Sequence, residues 1–113
     1  MLLEIGEKVH VIERRMFDSD VRRHFFGTVE RVDASAIRIT GYVYVYDSSS
    51  TEYVRGKEQR TRIIPLAANG YVINVAPSAT DVEEVRYVEQ NGRLMVTDGA
   101  SFGLDINEFG RLR

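Results

Sequence analysis

Apolar and polar residues alternate with a period of two over much of this chain, and the alternation predicts strands separated by short turns. The longest such run is Ile37 to Tyr46. Ile37, Ile39, Gly41, Val43 and Val45 fall on one face, and Arg38, Thr40, Tyr42, Tyr44 and Tyr46 on the other. β-Branched and aromatic residues dominate it, as a pleated strand favours. Lys8 to Ile12 alternates after the turn residue Gly6 and places Val9 and Val11 on one face, with His10 and Ile12 on the other. Further strands are predicted at His24–Asp33, where Gly27 signals a bulge or bend, at Glu52–Val54, at Thr61–Leu66 and at Tyr71–Val75. Pro65 confines the strand at Thr61–Leu66 to an edge or an end. Asp47-Ser48-Ser49-Ser50 and Asn69-Gly70 are turn signals.

Asn91-Gly92 between Arg86–Gln90 and Arg93–Thr97 predicts a hairpin, because both residues tolerate the positive φ of a type I′ turn. Thr80-Asp81-Val82-Glu83 has the spacing of a capping box, so one short helical turn is expected near 80–84. Glu13 to Arg23 reads as a long charged loop carrying Met16 and Phe17. Residues 99–113 read as a docked or flexible tail whose Phe102, Leu104, Ile106 and Phe109 mark a docking face. About seven short strands with an added hairpin at 86–97, and no long helical crossover, predict an all-β single domain over 1–113 bent into a small barrel.

Composition narrows the class. Of 113 residues, 43% are apolar and 28% charged, which is the balance of a folded globular domain rather than a disordered chain. The absence of cysteine removes disulfides, thiolate metal ligands and a cysteine nucleophile. No apolar run is long enough to span a bilayer, and Glu4 and Glu7 interrupt any secretory signal, so a cytoplasmic protein that does not engage membranes is the expectation. A net charge of −2 names no partner.

Gly6-Glu7-Lys8-Val9-His10-Val11 resembles the Gly-acidic-x-Val-x-Val opening of SH3-like barrels. Gly27-Thr28-Val29-Glu30-Arg31-Val32-Asp33, followed by Ile37-Arg38-Ile39, resembles the first segment of Sm-like barrels. The resemblance covers about 25 residues and implies a small-barrel fold. The asparagine with which RNA-binding Sm-like proteins follow that aspartate is replaced here by Ala34-Ser35-Ala36, and their Arg-Gly pair by Arg62-Ile63.

The candidate ligand surface is the tyrosine stripe Tyr42, Tyr44 and Tyr46 with Arg38, Arg22 and Arg23. Rings about 6.5–7 Å apart on a sheet face can stack nucleobases while arginines meet phosphates. The competing reading packs the stripe under a loop, the C-terminal tail or a second subunit. Arg14-Arg15, Arg22-Arg23, Arg55, Lys57, Arg60 and Arg62 are interleaved with Glu13, Asp18, Asp20 and Glu58, the pattern of a solvated loop with local ion pairs. No nucleophile-elbow, zinc-helix or phosphate-loop motif is present, and Asp18-Ser19-Asp20 upstream of His24 lacks the continuation of a calcium loop. The expectation is a non-catalytic binding module without metal or cofactor. Its partner is single-stranded nucleic acid or protein, with a self-associating structural subunit as the alternative.

Overall fold

A computed structural model describes residues 2–67 and 70–107. Among these residues, nine strands and one 3₁₀ turn follow in the order β1 (Lys8–Glu13), β2 (Arg23–Val32), β3 (Ala36–Asp47), β4 (Glu52–Arg55), β5 (Arg60–Pro65), β6 (Tyr71–Ala76), the turn Val82–Glu84, β7 (Arg86–Gln90), β8 (Arg93–Thr97) and β9 (Gly103–Asp105). All pairings are antiparallel. The first sheet runs β4-β3-β2-β1-β6, with β5 alongside the first half of β3. The second is the meander β7-β8-β9.

The all-β expectation holds, and two open sheets replace the closed barrel. Among the described residues, β6 pairs only with β1, and β4 and β5 pair only with β3. The first sheet nevertheless curls on itself. Ile64 of β5 and Tyr71 and Ile73 of β6, from opposite edges, pack in one cluster with Val9, Val11, Phe25, Val29, Ile37 and Ile39. A bulge in β2 between Val29 and Arg31 assists the curl by adding local twist.

In the β2–β3 pairing, Gly27 lies opposite Gly41. A Cβ at Gly41 would stand 2.0 Å from the Phe26 carbonyl oxygen, and one at Gly27 2.4 Å from that of Thr40. Backbone oxygens cannot swing aside as a flexible side chain can, so neither position accepts a side chain without separating the strands.

A second core lies on the other face of β2 and β3. Phe26, Tyr42 and Tyr44 meet Ala76, Val85, Val96 and Phe102 between the sheets. β9 is the element the hydrophobic pattern did not predict. Its three residues belong to the expected tail, where Phe102 is buried and Leu104 and Ile106 pack against the same core. Phe109 lies outside the described residues, as does Asn69 of the turn before β6. Asn91 and Gly92 take φ of 55° and 77°, as the type I′ hairpin requires.

The helical turn is present but capped one residue late. Asp81, not Thr80, is its N-cap, and the Asp81 carboxylate accepts from the Glu83 N–H. The buried Thr80 hydroxyl is committed to the Pro77 carbonyl at 2.7 Å instead. Asp98 then ties this connection to the second sheet by accepting from the N–H groups of Asp81, Ala100 and Phe102.

Replacing Gly41 with alanine is expected to cost at least about 1–3 kcal/mol, the usual range for overpacking. Gly56→Ala is the control, since the nearest atom to its added Cβ is 3.6 Å away. Thermal denaturation of both variants should show a fall of several degrees for the first and little change for the second.

Candidate functional site

The inter-sheet face of the first sheet brings both histidines of the chain together. His10 lies opposite Phe26 in the β1–β2 pairing, and His24 lies opposite Ile12. With side chains alternating, both imidazoles leave the Val9–Val11 side and enter the layer beneath the second sheet. His10 is fully buried and His24 is 6% exposed. Their rings meet edge to face with centroids 5.1 Å apart.

Tyr87 of β7 reaches into this pair from the second sheet. Its hydroxyl lies 2.8 Å from His10 Nε2 and 2.5 Å from His24 Nδ1. A phenol carries one proton, so it donates to one ring and accepts from the other. His10 Nδ1 is buried without a partner among the described residues. An orphaned N–H in the interior costs more than an unshared lone pair, which favours His10 protonated at Nε2 and donating to Tyr87. The Tyr87 hydroxyl then donates to His24 Nδ1. Tyr53 of β4 closes the cluster, stacked on Tyr87 at 4.3 Å and on His24 at 4.8 Å.

Burial sets the protonation of the cluster. Desolvation, with His24 nearby, lowers the His10 pKa to about 3. Desolvation, with the Arg22 guanidinium nearby, lowers that of His24 to about 4. The Tyr87 phenol is pushed up, chiefly by burial. Both imidazoles are therefore neutral at pH 7, and their hydrogen bonds to Tyr87 link the two sheets. Among the described residues no three His, Asp or Glu side chains gather to hold a metal ion.

The structure divides the six sequence-predicted site residues among separate places. Tyr44 is 2% exposed, and its hydroxyl donates to the Val85 carbonyl at 2.7 Å. Tyr42 is buried beside it and donates to the Glu83 carboxylate, with the Arg55 guanidinium 4.6 Å from its ring centre. Covered by the second sheet, neither ring is open to a stacked base. Arg38 is exposed on the uncovered part of the same face, directly across from Arg31 and Ile63. Arg23 lies nearest Glu13, at 3.8 Å, on the rim of the first core.

Of the three arginines, Arg22 is the one that meets a tyrosine of the stripe, Tyr46. The Tyr46 N–H donates to the Arg22 carbonyl at 3.0 Å, and the Arg22 guanidinium stands 5.7 Å from the Tyr46 ring centre. They line a cleft of about 630 Å³ between the 14–22 loop and the second sheet. Tyr53, Arg15, Val21, Leu94 and Ile106 line it too, as do Asp18, Asp20 and Glu89. The loop is internally braced: Asp20 accepts from the N–H groups of Met16 and Phe17, and Arg15 donates to the Asp18 carbonyl. Met16, Phe17 and Val21 of this loop are exposed. The interleaved charges of the loop form backbone contacts more than the ion pairs their spacing suggests.

Sequence reasoning missed Tyr53 and Tyr87. Both sit in short strands without an extended alternation, and only the tertiary fold puts them beside the histidines. The histidine pair carried a usable signal, because an antiparallel β1–β2 pair places His10 and His24 diagonally on one face.

Compared with known proteins, the chain matches no family model, no curated protein and no solved structure.

Two outcomes follow from the cluster. The unfolded histidines bind protons below pH 6.5 while the folded ones resist until about pH 4 and 3, so stability is full above pH 6.5 and falls as the pH drops through that window. By pH 5 the loss should be about 2 kcal/mol for each histidine, read as a lower urea midpoint than at pH 7. Tyr87→Phe removes the shared hydroxyl and leaves two ring nitrogens unpaired. It should destabilise the fold by about 1–3 kcal/mol for each nitrogen at pH 7.

Proposed function

We propose that this chain is a non-catalytic binding module whose ligand surface is the cleft between the 14–22 loop and the second sheet. The observation that carries the reading is the arrangement of Arg22 over Tyr46 with Tyr53 beside it. There two residues of the expected site converge on open space. Tyrosine and arginine are the residue types that supply most binding energy at protein interfaces, because each offers a large, rigid or forked contact surface.

The ligand that suits this cleft best is a segment of another protein. Arg15 and Arg22 are outnumbered by Asp18, Asp20 and Glu89, a balance that disfavours a polyanion. Val21, Leu94 and Ile106 offer apolar contacts within the cleft, and Met16 and Phe17 of the same loop are exposed. The resemblance to SH3-like and Sm-like small barrels is compatible with a binding module of this kind.

A single-stranded nucleic acid is the second reading, favoured by a different surface. Arg31 and Arg38 stand directly across from each other on adjacent strands, and like charges in that arrangement repel. Neither has a carboxylate within ion-pair distance among the described residues. A phosphate would relieve the repulsion.

Selection of a random peptide library on the immobilised protein tests the first reading. Peptides enriched on the wild type should bind Arg22→Ala and Tyr46→Ala at least about tenfold more weakly, the effect of losing about 1.4 kcal/mol, with melting temperatures little changed. Mixed-sequence single-stranded RNA and DNA, titrated at low and moderate salt, test the second. Salt-sensitive binding abolished by Arg38→Ala but not by Arg22→Ala would replace the cleft with the Arg31–Arg38 face. No enriched peptide and no nucleic-acid binding would overturn both.

A further inference from the structure

Among the described residues, the five edge strands are not protected alike. β4 has four residues and carries Glu52 and Arg55, and β9 has three. β5 carries Arg60, Arg62 and Pro65, and β7 carries Arg86 and Glu89. Charges, proline and shortness are the devices by which natural sheets discourage strand addition. β6 has none of them: Tyr71-Val72-Ile73-Asn74-Val75-Ala76 is six residues long without a charge or a proline. Val72 and Val75 are about half exposed there.

The hydrogen-bond pattern shows which backbone groups this edge offers. Arg14 N–H donates to the Gly70 carbonyl at 2.6 Å, one step beyond the Glu13–Tyr71 pair. Bonding direction alternates along an antiparallel ladder, so Gly70, Val72, Asn74 and Ala76 face β1. Tyr71, Ile73 and Val75 therefore turn their N–H and C=O groups outward. Among the described residues none of these groups meets a partner.

We infer that β6 pairs antiparallel with β6 of a second copy of this chain, about a two-fold axis at Ile73. In that register Tyr71 faces Val75 of the second copy and Ile73 faces its counterpart. Outward-directed residues then meet only outward-directed residues, and every free N–H finds a carbonyl. No like charges are opposed, and the symmetry closes at two copies, as an isologous contact does. A foreign strand could use the same groups, but the register that satisfies all of them is already encoded in β6 itself. This contact is separate from the cleft and does not depend on it.

Sedimentation velocity of the full chain, from about 10 μM to about 1 mM, tests the inference over the range of a modest interface. The mass should rise from 12.9 kDa towards twice that value. Val75→Pro removes an outward N–H and no bond to β1, and Val75→Lys adds a charge at an already exposed position. Either variant should remain at 12.9 kDa throughout, with an unchanged β-sheet circular dichroism spectrum. If the proline variant fails to fold, the lysine variant decides. Because the chain has no cysteine, Val72→Cys accepts a single nitroxide label, and labels on two copies should broaden one another's spectra. A wild type that stays monomeric over the whole range overturns the inference. So does a dimer that survives Val75→Lys or shows no broadening between the labels.

Discussion

Both faces of β2 and β3 must be covered, and the rest of the molecule is arranged around that requirement. β3 alternates aliphatic residues with tyrosines, and β2 sets Phe25 and Val29 against His24 and Phe26. A strand that is apolar on one side only can rest against a single layer. These two strands need an interior on each side. The curl of the first sheet supplies one, drawing β5 and β6 over the aliphatic face. The second sheet supplies the other, and its own apolar side has no other place to go. The Gly27–Gly41 pair lets the two backbones approach closely between these layers.

The inter-sheet layer contains more polar chemistry than a core usually does. Two neutral imidazoles, four phenols and a buried aspartate lie between or beside the sheets. Their hydrogen bonds are specific where dispersion contacts are not. The Tyr87 hydroxyl can satisfy both imidazoles only in one register of β7 over β1 and β2, and Tyr44 adds a second restraint through the Val85 carbonyl. Apolar packing brings the sheets together, and these bonds select one of the ways they could slide over each other.

Much of the secondary structure was legible in the chain, because period-two alternation and turn chemistry are local. The long β3, the Asn91-Gly92 hairpin and the position of β5 at an edge with Pro65 all follow from residues a few places apart. β9 escaped because three residues are too few to display a period, and its register comes from β8. The open sheets escaped because closure depends on whether edge strands meet, and no local pattern encodes that. The candidate site was legible only in pieces. Arg22 and Tyr46 meet because β3 pairs with the end of the 14–22 loop. Tyr42 and Tyr44, read from the same stripe, lie under a sheet formed some forty residues later.

The second sheet is built from one contiguous stretch, Arg86 to Asp105, with each strand beside its neighbour in the chain. Its contacts are short-range, whereas the first sheet must bring β6 back to β1 across more than fifty residues. Low contact order favours early closure of the meander, yet three short strands with one apolar face have little stability in isolation. The meander therefore gains its lasting protection from docking. Its amide hydrogens should exchange with solvent through the same global opening that exposes the first sheet, making the two layers a single cooperative unit although they are assembled from separate parts of the chain.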